Sequence, residues 1–259
     1  MRIIDFHTHL DDQWFGKKLP STEAMLAALD RFEIEAACVF TIMGLYGDCS
    51  RHNDALVART DARPDRLIPF ATVDPKEGSA AVAELERCLA DPRFRGVKFH
   101  PWLQAFAPSM LRETMVALLR VAAHHNAPLL LHDGTPPYAT TFQMAEVARW
   151  VPEAVVVLGH AGLTDYADPA AQLMRDVPNL FGCFCGSRPG ELLHLVATAG
   201  ADKVLFGSDF GIAGWELLAE RLDNVLEAGL APADLEKVLY DNASRLLRLR
   251  EHPLPRRDS

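Results

Sequence analysis

The chain has 259 residues, with 26 Lys and Arg against 35 Asp and Glu, for a formal charge of −9. With 49% hydrophobic and 24% charged residues, it has too much apolar content for a disordered chain and enough length to bury a core without disulfide staples. The acidic balance argues against nucleic acid, because no Lys/Arg run stands outside the tail segment Pro255-Arg256-Arg257. No apolar stretch is long enough for a membrane span.

The N-terminus reads at once as a strand, Ile3–Leu10, which leaves no room for a leader and predicts a cytoplasmic protein. The five cysteines, Cys38, Cys49, Cys88, Cys183 and Cys185, are odd in number and irregularly spaced, which suits a reducing compartment. Further short apolar runs follow at 36–42, 67–73, 96–100, 128–132, 154–160, 180–186 and 203–209. Val155-Val156-Val157-Leu158 is apolar throughout, as in parallel strands covered on both faces.

Amphipathic stretches lie between these runs. Ser21 is a good N-cap for the first helix, and Ser109 for a helix through Met110–His125. Other helices are expected at 53–60, 79–90, 142–150, 170–176, 190–199 and 215–227, with a last one from Asp234 to Leu249. Eight strands alternating with helices over about 250 residues predict a single (β/α)8 TIM barrel over residues 1–250 and a polar tail over 251–259. An open doubly wound sheet competes, but it would more often carry a glycine-rich turn after the first strand, where this chain has His-Thr-His.

Such barrels place their active sites at the C-terminal ends of the strands. Of the ten histidines, His7, His9, His100, His132 and His160 fall at strand ends. His7 and His9, two apart on a strand, face the same way, with Asp5 on that face, and both imidazoles can bind one cation such as Zn2+. Asp209, after the eighth strand, reads either as the N-cap of the next helix or as a carboxylate ligand that takes a proton from a metal-bound water. Lys98, His100 and Arg188 can meet an anionic substrate, Arg188 through a bidentate fork. Arg188 reads equally as a solvated residue at a helix start. Trp14, Phe15, Trp102, Phe106 and Tyr138 follow strand ends and read as pocket walls or as ordinary packing. Cys183 and Cys185 share a face of the seventh strand, as soft ligands or as small core residues. No Gly-x-Ser-x-Gly elbow and no Walker loop occurs in the sequence.

The set Asp5-Phe6-His7-Thr8-His9, Gly96-Val97-Lys98-Phe99-His100-Pro101, Leu131-His132, Gly159-His160-Ala161-Gly162, Gly207-Ser208-Asp209 and Asn242–Leu247 resembles the amidohydrolase superfamily. The branch it resembles most includes aminocarboxymuconate-semialdehyde decarboxylase and related lactone and amide hydrolases. The resemblance runs from residue 3 to about 247. It implies a distorted barrel and one divalent metal, Zn2+ by preference, on His7, His9, His132 and Asp209. It gives Asp209 the catalytic proton transfer, and His160 the holding of water or substrate or, in binuclear relatives, a second metal. Lys98, with His100 on its face, matches either a carboxylated bridging lysine of binuclear relatives or an ordinary ammonium near the substrate. A snorkelling surface lysine is the plain alternative.

The main expectation is a metal-dependent hydrolase that cleaves a small amide, lactone or ester carrying a carboxylate. The alternatives are a non-oxidative decarboxylase at the same metal and a non-catalytic metal- or ligand-binding barrel. Short loops after strands five to eight favour hydrolysis over decarboxylation. A small-molecule partner is expected, no nucleic acid and no membrane, with a homodimer compatible with the sequence.

Overall fold

A computed structural model describes residues 1–212 and 214–255. The end of the expected tail, 256–259, with Arg256 and Arg257 of the basic segment, lies outside the described residues. Eight strands form one sheet in chain order: β1 Ile4–His9, β2 Ala36–Phe40, β3 Leu67–Ala71, β4 Gly96–Phe99, β5 Leu129–Leu131, β6 Val156–Leu158, β7 Leu180–Phe184 and β8 Val204–Phe206. Every neighbouring pair is parallel. The ring closes at its C-terminal end, where His9 N donates to Phe210 O at 2.7 Å and Asp209 N to His7 O at 2.8 Å. This is the expected (β/α)8 barrel.

Eight helices follow the strands: α1 Thr22–Arg31, α2 Cys49–Thr60, α3 Ser79–Ala90, α4 Arg112–His124, α5 Thr141–Trp150, α6 Ala167–Asp176, α7 Pro189–Ala199 and α8 Trp215–Leu226. Ser21 caps α1 as expected, its side chain accepting from Ala24 N. Ser109 does not cap α4. It lies in a 3-10 turn, Pro108–Leu111, that Pro108 opens, and α4 starts only at Arg112. The last expected helix is broken into α9 Pro232–Glu236, a π-helical turn Lys237–Asp241 and α10 Asn242–Leu246. Asn242, buried at that wider turn, donates to the carbonyls of Ala201 and Val204 at 2.7 and 2.8 Å, which ties the chain's end to β8. Satisfying two buried carbonyls at once outweighs an unbroken helix.

Two apolar layers divide the core. Residues such as Val97, Leu129, Leu131, Val156 and Leu158 face the helices. Ile4, Phe6, Phe40, Phe70, Leu130, Val157, Phe181 and Leu205 fill the barrel, with Cys38, Cys183 and Cys185 among them. Gly96 gives the Phe70 ring its room, since a Cβ there would lie 2.5 Å from it. This filled floor leaves the mouth as the place for a ligand. Among the described residues no helix is long and apolar enough to cross a membrane.

Candidate metal centre

The register of β1 against β2 slips between Asp5 and Thr8. Such irregularities re-aim side chains beside active sites. Asp5, expected on the face of His7 and His9, instead turns to the backbone. Its carboxylate accepts from His7 N at 3.1 Å, Ser208 N at 3.0 Å and the Ser208 hydroxyl. Asp5 thus clamps β1 to the segment after β8. Burial raises its carboxyl to about 7, against the hydrogen bond from Ser208.

His7, His9 and Asp209 come together, their ligand atoms all within 4.8 Å of one another. His7 Nε2 lies 3.3 Å and His9 Nε2 3.0 Å from Asp209 Oδ1. Asp209 has φ +61°, a left-handed backbone that its turn imposes on a non-glycine residue. It is not an N-cap: Gly214 holds that position for α8. Burial opposes its charge, but His7, His9 and the hydrogen bond from His9 outweigh that and hold the carboxyl well below the usual carboxylate range.

The hydrogen bonds fix where His7 can bind. Its Nδ1 lies 2.9 Å from Gly159 O, an oxygen that can only accept, so Nδ1 carries the hydrogen and Nε2 the lone pair. That lone pair faces a carboxylate oxygen with no hydrogen between them. Lys98 Nζ lies 3.2 Å from the same lone pair, and a divalent ion would take its place there; a backbone carbonyl behind a metal-binding imidazole is the usual support. On these grounds the residues fit one divalent ion. Burial lowers the pKa of both His7 and His9, with Lys98 adding to the effect and Asp209 opposing it, which favours the neutral rings. The Nδ1 atom of His9 is buried without a partner.

His132 stands apart from this group. Its Nδ1 pairs with His160 Nε2 at 2.9 Å and its Nε2 with the Thr135 hydroxyl at 2.8 Å. Its ring stacks on His100, centroids 3.6 Å apart. In His160, Nδ1 donates to Cys185 O at 2.9 Å. Asp133, fully buried, accepts from His160 N at 2.7 Å, Gly162 N at 2.8 Å and the Thr141 hydroxyl at 2.8 Å. It shapes the turn that carries His160. The only signal the sequence carries for this role is an acidic residue directly after the strand-end His132.

Lys98 is completely buried, which rules out a snorkelling surface residue. Its Nζ lies 3.2 Å from His7 Nε2, to which it donates, and 4.6 Å over the Phe40 ring. Burial lowers its pKa to about 8, with Asp209 opposing. His100 accepts from Leu103 N on Nδ1 at 3.3 Å, which leaves Nε2–H as the donor that remains. Burial lowers its pKa far below normal. Gln104, also unremarked in the sequence, holds His100 N through its Oε1 at 2.8 Å.

A cleft of about 340 Å³ opens over these groups, lined by His7, His9, Lys98, His100, His132, His160 and Asp209, with Trp14, Ile42, Trp102, Leu103 and Ile212 as walls. Trp102 is half exposed at its rim. Arg188 is not brought in: it is exposed at the start of α7, where its backbone N–H donates to Glu191. Of the other aromatics, Phe106 is buried in the helix-facing core and Phe15 and Tyr138 are exposed outside the cleft. A two-residue hairpin, Gln13–Trp14 against Lys17–Lys18, presents Trp14, and Lys17 Nζ anchors it to Ile212 O at 2.8 Å.

A closed parallel barrel with a His–His–Asp group and a buried lysine at the C-terminal mouth defines a metal-dependent barrel enzyme. The sequence matches the amidohydrolase family over residues 4–249, and the chain belongs to that family. No curated protein matches the chain. Among solved structures it is similar to 2,6-dihydroxybenzoate decarboxylase from Rhizobium, at 19% identity over 96% of this chain and 99% of that one, TM-score 0.76. It is similar to dihydroxybenzoic acid decarboxylase from Polaromonas with bound manganese and 2-nitroresorcinol, at 17% identity over 96% and 97%, TM-score 0.76. It is similar also to 5-carboxyvanillate decarboxylase from Sphingomonas paucimobilis, at 14% identity over 95% and 99%, TM-score 0.76.

Proposed function

We propose that the chain catalyses non-oxidative decarboxylation of a small, flat carboxylic acid, with one divalent ion held by His7, His9 and Asp209. The observation that carries this reading is the cleft: apolar walls of Trp14, Ile42, Trp102, Leu103 and Ile212 stand over a floor of imidazoles, one carboxylate and a buried amine. A volume of about 340 Å³ suits one substituted ring. The similar decarboxylases support the reading, and their near-complete alignment removes the argument from short loops that favoured hydrolysis.

A bound ion would supply a positive centre that grips a substrate oxygen and draws electron density from the ring. The two imidazoles suit Zn2+, while the Polaromonas enzyme carries manganese. His132 as a fourth ligand would first have to release His160. Lys98 and the Nε2–H of His100 orient the acid from the floor. A carboxylate turned toward the apolar walls loses hydration that neutral CO2 does not need, so the walls favour its departure. Asp209, ionised at rest and 23% exposed, relays a proton from solvent to the ring carbon that bears the carboxylate. The carbon–carbon bond then breaks, its electron pair returns to the ring, and CO2 leaves. His160, held by Asp133 and Cys185 O, keeps the opposite side of the cleft in place. A cytoplasmic setting with reduced thiols belongs to the same reading.

Hydrolysis of a lactone, amide or ester is the second reading, favoured by an Asp209 that touches both ligand imidazoles and is open to water. Metal-loaded protein should be incubated with 2,6-dihydroxybenzoate and 5-carboxyvanillate beside simple lactones, amides and esters. Release of CO2 is the expected result. An opened product that keeps its carboxylate would replace decarboxylation with hydrolysis.

A further inference from the structure

We propose that Cys185 is a metal ligand: with His7 and His160 it forms a second, thiophilic cation position that shares His7 with the His7–His9–Asp209 group. The three residues come from β1 and from the chain just after β6 and β7. All are buried, and each offers a ligand atom within 4.8 Å of the other two. Cys183, on β7, and Cys185, one residue past its end, both belong to the barrel-filling layer. Of the two, Cys185 stands nearer the mouth and is the one grouped with the imidazoles.

The hydrogen bonds support a ligand role over simple packing. Each imidazole spends its Nδ1–H on a carbonyl, His7 on Gly159 and His160 on Cys185 itself. In the neutral rings Nε2 therefore carries the lone pair, which Lys98 Nζ meets in His7 and His132 Nδ1 meets in His160. The carbonyl of Cys185 orients His160 while its sulfur lies beside the same ring. Thiolate and imidazole together favour Zn2+, Co2+ or Cd2+, whereas carboxylate suits Mn2+. His7 has one lone pair, so one ion uses it at a time. A hard ion sits with His9 and Asp209, and a soft ion with His160 and Cys185. Entry of the soft ion would displace the thiol proton to solvent, form one metal–sulfur and two metal–nitrogen bonds, and break the Lys98–His7 and His132–His160 hydrogen bonds. The barrel mouth thus sorts metals by position, whatever reaction the enzyme performs.

The test is a Cd2+ titration of the full chain, stripped of metal and kept reduced, read by the ultraviolet thiolate-to-cadmium absorption. Wild type should saturate at about one equivalent. Cys185→Ala should abolish the band, and Cys183→Ala, equally buried in the same layer, should keep it. Cys185→Ser, nearly isosteric, gives the same readout if the alanine variant does not fold. In parallel, free Mn2+ is followed by electron paramagnetic resonance. Asp209→Asn should weaken Mn2+ about tenfold or more and leave the cadmium band in place, while Cys185→Ala should leave Mn2+ binding unchanged. A wild type without the band, or a band that survives loss of Cys185, would overturn the proposal. Either result leaves the outer site and its reaction to be judged on Mn2+ binding alone.

Discussion

Asp133 offers the sharpest structural prediction, because one buried carboxylate there serves three donors. Asp133→Ala leaves two backbone N–H groups, of His160 and Gly162, and the Thr141 hydroxyl without an acceptor. Each orphaned buried donor costs about 1–3 kcal/mol, and the hydroxyl can turn elsewhere, so the two amides set a gross loss of about 2–6 kcal/mol. Burial raises the pKa of Asp133. Removing the carboxylate therefore returns part of that loss, and a net destabilisation of about 3 kcal/mol is expected. With an unfolding entropy of about 2.1 cal/mol/K per residue, this corresponds to a fall in Tm of about 5 °C. Asp133→Asn keeps one acceptor oxygen and should lose about half as much. Urea unfolding at pH 8 measures both. An alanine variant within about 0.5 kcal/mol of wild type, the range of ordinary surface changes, would refute the claim that Asp133 holds the His160 turn.

Two further predictions concern the floor and the rim. Lys98→Met keeps the buried stem and removes the amine. The folded pKa of about 8 lies below the ordinary 10.5, so charging Lys98 at pH 7 costs the fold on the order of 3 kcal/mol. Metal-free Lys98→Met should therefore be more stable than metal-free wild type at pH 7, and the metal-loaded variant should lose turnover of a carboxylate substrate. Between pH 8 and 10.5 the unfolded chain holds the extra proton, so wild-type stability rises and the gap should close. A gap that is absent at pH 7, or that widens across this window, would contradict a buried charged lysine. Gly211→Ala would place a Cβ 1.9 Å from the carbonyl oxygen of His9, at φ +109°. It should displace His9 and weaken metal binding more than it weakens folding, as isothermal titration and thermal melts can separate.

The barrel was legible in the sequence because buried parallel strands are nearly all apolar, and their lengths alone separate them from the amphipathic helices. His7 and His9 were legible because a two-residue spacing survives the slip in β1, which moves the pair together. Asp209 was legible as a carboxylate at a strand end. The partners of these groups were not. Asp5 carried the right spacing for the site, yet the irregular register gave the freed amides of His7 and Ser208 to its carboxylate. His132 carried the right position, but its hydrogen bonds go to His160 and Thr135, a pairing that depends on side-chain rotation. Arg188 has the right charge after the right strand, and the start of α7 carries it outward. Ser109 failed as a cap because Pro108 opens a 3-10 turn first. Contacts between residues distant in the chain decided the outcomes at Asp5 and His132, and local turns those at Arg188 and Ser109.

The most direct test of His7, His9 and Asp209 as the site of one divalent ion is the metal content of protein purified without chelator, beside Asp209→Asn. Wild type should hold about one equivalent of metal, and the variant should lose about tenfold or more in affinity. Wild-type protein that holds no metal after reconstitution with Zn2+ and Mn2+, or an Asp209→Asn variant that binds both as tightly as wild type, would contradict that site.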